Sequence, residues 1–318
     1  VGNDTIEYHR VFEEIKASNS LQEAFTVSRF EYGYVLVNYL VSRLTQDFNI
    51  LLLITSVFVY GSAVLFIKRY AASYSLAVLF AFGMSVFYDL MLAVRQGIAV
   101  AIFLLAVPAL MERKLVRYVL LVVLASQFHV SVLLLLVVYL IPYMRLSTFG
   151  DWFKWGALIG IVMFSLSWLL TRLLISSAYY GHYLHSDYAD GGVRSATVLL
   201  IITRIILLLL AATCGWNAAV EADPSGRTRN LLALAVADVA MVVISLGFNL
   251  LDRLEMYLTL PFAVGLANLA AHGERPERSY VSALLVVIAF AATTTFFLYR
   301  PDWFHLFPYH TFLEKGLP

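Results

Sequence analysis

Four residues that carry or can carry positive charge stand where the chain is otherwise apolar. Arg95 lies in Leu92-Ala93-Val94-Arg95-Gln96-Gly97, and His129 follows Gln127-Phe128 inside a long apolar run. Arg194 and Arg253 each open an apolar run. An ionisable group within a membrane is costly, so each is a functional candidate. A guanidinium offers phosphate a planar fork of paired, charged hydrogen bonds. An imidazole titrates near neutral pH and can take up or return a proton. Together these groups suggest a site that holds a phosphorylated group and moves a proton. Simpler readings stand beside each. Arg194 and Arg253 also fit interfacial residues whose side chains reach for lipid headgroups, and His129 also fits a hydrogen-bonded packing residue. Arg204 and Asp238 sit mid-helix at similar depth, and the expectation for them is a buried ion pair, since each alone would be expensive.

These residues must be positioned by elements that live in lipid. Of 318 residues 61% are apolar and 14% charged, and the mean hydropathy is +0.81. A soluble domain is roughly half apolar and about a quarter charged. The composition excludes a soluble enzyme, a nucleic-acid binder and a disordered chain, and points to an all-α, polytopic integral membrane protein. The net charge of +1 gives no general attraction for polyanions, and the single cysteine, Cys214, excludes an internal disulfide and a zinc-thiolate site.

Along the chain, residues 1–48 are expected as amphipathic helices outside the bilayer. Val11, Phe12 and Ile15 fall at helical spacing, and 31–46 reads as a second, partly inserted helix rich in tyrosine. Residues 49–298 are expected to form the transmembrane bundle, with an outer loop at 176–194, and 299–318 an outer tail. Apolar segments fall near 49–67, 74–88, 90–111, 115–141, 152–175, 195–214, 230–248, 254–272 and 279–298. That makes about ten membrane segments, with a turn at Asp89 and Arg95 about a turn and a half inside the third.

Lys and Arg gather in five short connections: Lys68 and Arg69; Arg113, Lys114 and Arg117; Arg145 and Lys154; Arg227 and Arg229; Arg275 and Arg278. Such connections belong in the cytoplasm. The second and third flank 115–141 and must share one side, so this segment is expected to be two half-helices meeting near Gln127–His129. Irregular backbone at that depth survives where it is buried in protein or lines a cavity. Arg95, His129, Arg194 and Arg253 then converge on one outward-facing cavity.

Other chemistry is weakly supported. The loop from Tyr179 to Tyr188 is rich in aromatics and suits sugars or an interfacial belt equally. His182, His185, Asp187 and Asp190 lack a recognised metal-ligand spacing, so no metal is expected. No P-loop or Rossmann glycine pattern is present, which argues against ATP hydrolysis and nucleotide cofactors.

Several stretches, in order along nearly the whole chain, resemble the EpsG-like, Wzy-type polysaccharide polymerases. Gly2 and Asp4 with Tyr8 and Phe12 resemble an outer G-x-D-x-x-x-Y-x-x-x-F stretch, and Glu31-Tyr32-Gly33-Tyr34 the acidic, Gly-Tyr start of the next helix. Arg95-Gln96 with Ala99 matches R-Q-x-x-A, and Phe128-His129-Val130-Ser131 matches F-H-x-S. Arg253 with Tyr257 fits R-x-x-x-Y, and Pro308-Tyr309 fits a late P-Y. The resemblance also leads one to expect a membrane helix before the G-x-D stretch, ahead of Val1.

The resemblance implies a GT-C-like helical bundle in the bacterial cytoplasmic membrane. It implies a metal-independent glycosyltransferase without cofactor. Its donor and acceptor would be undecaprenyl-pyrophosphate-linked oligosaccharides, with a chain-length regulator as a candidate partner. In that setting Arg95, Arg253 and Arg194 would hold the departing diphosphate. His129 leads as general base, with Asp4 and Asp252 as rivals, and Gln96, Tyr8, Tyr257 and Tyr309 would line the substrate. The competing functions are a membrane-bound O-acyltransferase, which also buries a histidine, a lipid-linked-glycan transporter, and a glycan ligase using the same cavity.

Overall fold

A computed structural model describes residues 4–144, 149–175, 195–245, 254–272 and 277–299. Among the described residues every regular element is a helix and there is no strand. That is the expected all-α class. In lipid a backbone must satisfy its own hydrogen bonds, and a helix does so within one segment.

The chain opens with three short helices: α1 (Thr5–Ala17), α2 (Leu21–Val27) and α3 (Tyr32–Leu44). α1 buries Tyr8, Val11, Phe12 and Ile15, a stripe at the helical repeat, and α3 answers with Tyr34, Val35, Asn38 and Val41. The other face of α1 is charged. Glu7 pairs with Arg10 at 2.6 Å and with Arg29 at 3.0 Å. The hydrogen bond from Arg10, with Arg29 adding its charge, holds the Glu7 carboxyl below its ordinary value. Arg43 of α3 donates to the Ser18 carbonyl at 2.6 Å, covering the C-terminal end of α1.

α4 (Phe48–Tyr70) has 23 residues, about 34 Å, enough to cross a bilayer. α5 (Tyr74–Gly83) and α6 (Val86–Leu92) follow as one broken element bent by 56°. The bend sits at Ser85, which is left-handed (φ 63°). α13 (Glu277–Tyr299) supports it: the Thr293 hydroxyl donates to the Gly83 carbonyl at 2.7 Å and lies 3.1 Å from the Ser85 hydroxyl. The expected turn at Asp89 is therefore corrected. Asp89 lies inside α6, and the chain breaks at Ser85 and again at Ala93.

α7 (Val94–Met111) is buried along almost its whole length. α8 (Leu115–Ser126) and a 3-10 helix (Val130–Tyr143) then fold back on each other. The Tyr118 hydroxyl donates to the Leu135 carbonyl at 2.6 Å, and the Tyr118 and Tyr139 rings lie 5.4 Å apart. Arg113, just before α8, donates to the Pro142 carbonyl at 2.7 Å. The two ends of the segment thus lie together, with Gln127–His129 at the far apex, which is the half-helix arrangement expected from the charge pattern.

α9 (Phe149–Ile175), α10 (Ser195–Glu221), α11 (Arg227–Ser245), α12 (Glu255–His272) and α13 complete the bundle. α12 is its axis: every residue from Tyr257 to Ala271 is buried. Among the described residues, four helical stretches can cross a membrane alone by length and composition (Phe48–Tyr70, Val94–Met111, Ser195–Thr213 and Tyr280–Tyr299), or five if α5–α6 is one span. The expected count of about ten segments is not confirmed by these described residues.

Three of the five basic connections, those at 68–69, 113–117 and 227–229, gather at one end. Arg69 reaches Glu112 at 3.5 Å. Asn268 donates to the Tyr70 carbonyl at 3.0 Å and to Thr228 at 3.3 Å, and accepts from the Ala72 amide at 2.7 Å.

Candidate active site

The site is built at the other end, where α3, α7, α12 and the apex of the folded-back segment meet. Arg95 is the second residue of α7, directly after the break at Ala93. It is therefore in a first helical turn, not a turn and a half inside a longer helix as the sequence suggested. Its Nη1 donates to Glu31 Oε2 at 2.5 Å, with each side chain 13% exposed. The guanidinium carbon lies over Phe30, 3.9 Å from the ring centroid, and 6.0 Å from the centroid of the Tyr8 ring. Gln96 follows in the same turn and is buried.

Glu31 is the N-cap residue of α3, yet its side chain makes no capping bond. The carboxylate turns to Arg95 instead. The first amides of α3 are used by the apex: Gly33 donates to the Gln127 carbonyl at 2.8 Å and Tyr34 to the same oxygen at 3.3 Å. Helix-start amides carry partial positive charge and suit an exposed carbonyl. A Cβ on Gly33 would fall 2.7 Å from that oxygen, so only glycine allows the approach.

Two residues past Gln127, His129 Nδ1 lies 2.7 Å from the Ser131 hydroxyl. Ser131 in turn lies 3.2 Å from the hydroxyl of Tyr257 on α12. This short chain fixes the imidazole orientation from two elements. Tyr257 is fully buried, meets Phe103 of α7 edge-on at 6.0 Å, and is within electrostatic reach of both Glu31 and Arg95.

Arg95, Tyr8, His129 and Tyr257 are thus brought together, and Gln96 is buried beside Arg95 in the chain. Asp4 precedes α1 and stands one turn from Tyr8. Asp252, Arg253, Arg194 and Tyr309 lie outside the described residues, as do His182, His185, Asp187 and Asp190 and the aromatic loop that holds them. Sequence reasoning missed Glu31 as the partner of Arg95, Phe30 as its platform, and Ser131 as the link from His129 to Tyr257. The signal for Glu31 was an acidic residue immediately before an apolar helix.

A second polar cluster backs the first. Glu255 and Thr259 are one turn apart on α12, and Tyr257 between them points to roughly the opposite side. Arg204 of α10 pairs with Asp238 of α11, as expected, and its Nη2 also reaches Glu255 at 3.1 Å and Thr259 at 3.2 Å. Arg204 is enclosed by carboxylates and is a structural group. Arg95, by contrast, faces the single carboxylate of Glu31 at the end of the bundle.

The model of the EpsG family matches residues 1–311. The chain belongs to the EpsG family. This is a family of Wzy-type polysaccharide polymerases, so the molecule is a membrane protein of polysaccharide biosynthesis. No curated protein and no solved structure matches it. In this EpsG protein, the R-Q-x-x-A stretch starts α7 and the F-H-x-S stretch forms the apex of the fold-back. The acidic Gly-Tyr stretch joins the two through Glu31 and Gly33.

Proposed function

We propose that this EpsG-family protein is a glycosyltransferase of the GT-C type that joins undecaprenyl-pyrophosphate-linked oligosaccharide units on the outer face of a bacterial cytoplasmic membrane. The observation that carries the reading is the meeting of Arg95, the His129–Ser131–Tyr257 chain and the outer helices at the end opposite the basic connections. Basic connections favour the cytoplasmic side, which leaves this end outward.

In the transfer, a hydroxyl oxygen at the non-reducing end of the acceptor forms a bond to the anomeric carbon of the donor chain. The bond from that carbon to the diphosphate oxygen breaks, and its electron pair leaves on the diphosphate. Negative charge therefore grows on the leaving oxygen, and preorganised cations in a site of low dielectric lower the barrier most. Arg95, with Arg253 and Arg194, fills this role, and the diphosphate is held without a metal. Gln96, Tyr8, Tyr257 and Tyr309 line the sugar and diphosphate. The hydroxyl proton needs an acceptor: the sequence offers His129, Asp4 and Asp252, and Glu31 joins them. The bilayer supplies both lipid tails, and a chain-length regulator is a fitting partner.

The test is complementation of a gene deletion, with surface glycan resolved on gels. Arg95→Ala is expected to leave single repeat units in place of long chains while the protein stays folded in the membrane. Long chains at normal abundance would overturn the reading.

A further inference from the structure

We propose that Glu31 takes the proton from the acceptor hydroxyl, and that Arg95 holds its carboxylate in position while facing the diphosphate. The proposal rests on the glycosyl-transfer reading above and names a group that the sequence did not offer for the role.

Three observations carry it. Glu31 occupies an N-cap position, where a carboxylate would ordinarily bond the first amides of its helix. Here it does not. Those amides are engaged by the Gln127 carbonyl of the apex, so the helix start is satisfied without the side chain. The carboxylate is instead fixed beside Arg95, 64 residues away in sequence, at 2.5 Å. It is positioned by packing on both sides: Arg95 lies over Phe30 and Tyr8, and Tyr8 packs against Phe30 and Tyr34 at 5.8 and 5.7 Å.

His129 is arranged differently. Its Nδ1 is tied through Ser131 to a fully buried tyrosine, which suits a group that orients or hydrogen-bonds substrate. A carboxylate beside a guanidinium is a modest base towards a free alcohol. The alcohol acidifies as its oxygen bonds to the anomeric carbon, so the proton passes late. The O–H bond breaks, the proton goes to a Glu31 oxygen, and the diphosphate departs with the electron pair of the broken C–O bond. When the donor diphosphate binds, it shares the Arg95 guanidinium with Glu31, whose carboxylate stays held by Nη1.

The geometry makes an unusual demand of Glu31→Gln. The amide oxygen still accepts from Arg95, so α3 stays docked, but the charge opposing Arg95 is gone. The purified full chain in detergent is therefore expected to bind farnesyl diphosphate at least as tightly as the wild type. Turnover of lipid-linked repeat units should fall by about 10²–10⁴. Glu31→Asp, which restores a carboxylate, should regain part of the rate.

Glu31→Gln turning over within about tenfold of wild type overturns the role. So does weaker diphosphate binding accompanied by a fall in melting temperature, which is the signature of a purely structural pair. A wild-type protein that binds no diphosphate overturns the transfer reading and this proposal with it. A polymerising wild type beside a polymerising Glu31→Gln overturns this proposal alone.

Discussion

At Gly33 the outer helices meet the folded-back segment backbone to backbone. Its amide meets the Gln127 carbonyl at 2.8 Å, and the space for a Cβ is taken by that oxygen and by the Gln127 Cβ at 2.8 Å. Gly33→Ala must push the start of α3 away from the apex, carrying Glu31 from Arg95. Overpacking of this kind costs about 1–3 kcal/mol. The expected outcome is a lowered melting temperature in detergent and shortened glycan chains, read together. A Gly33→Ala variant with wild-type melting and chain length would show that α3 does not bear on the site. The contrast between Arg95 and Glu31 shows what the sequence made visible at this scale. Arg95 and His129 stand out because charge is rare in an apolar run. Glu31 lies in a stretch already rich in acids, where one more acid is unremarkable, and its partner is far away along the chain. Asp252, Arg253 and Arg194 fall outside the described residues, so their part in the site stays with the sequence reading.

Among the elements, two are broken, and they differ in how legible the break was. The fold-back at Gln127–His129 follows from charge: two basic connections cannot share a side if the segment between them crosses once. The bend at Ser85 has no such signature, because no basic connection flanks it and what sustains it is the Thr293 hydroxyl on a distant helix. Asp89 misled for a related reason. A carboxylate in an apolar run reads as a turn at the membrane surface, whereas here it lies within α6 and within electrostatic reach of Arg204.

The Arg204 cluster joins α10, α11 and α12 and has its own test. Removing one member of a buried pair costs about 3–5 kcal/mol, because a charge is left without its partner. Here the loss should be asymmetric. Asp238→Asn leaves Arg204 with Glu255 at 3.1 Å, whereas Arg204→Met leaves two carboxylates near each other. Arg204→Met is therefore expected to lower the melting temperature more than Asp238→Asn does. The double variant should recover part of the loss, and fully additive losses would show that the two residues do not act as a pair.

For the whole molecule the deciding quantity is which end faces out. One end gathers the ends of α4 and α7, the base of the fold-back, the start of α11 and the end of α12, and with them Lys68, Arg69, Arg113, Lys114, Arg117, Arg227 and Arg229. The other end holds the Glu31–Arg95 pair and, above it, the charged face of α1, where Arg10 bridges Glu7 and Glu14. Lys and Arg near short loops bias a chain to keep those loops in the cytoplasm, whereas acids count for little, so the charges of α1 do not oppose this orientation. The distinction can be read with single cysteines in a Cys214→Ser background. Glu13 is an exposed position on α1, and Lys114 an exposed position at the basic end. A membrane-impermeant maleimide applied to intact cells is expected to label Glu13→Cys, and to label Lys114→Cys only after the membrane is opened. The reverse pattern would place Arg95, Glu31 and His129 on the cytoplasmic side. There they would face nucleotide-activated and acyl-carrier substrates instead of lipid-linked chains already carried across, and the polymerase reading would give way to an acyl transfer.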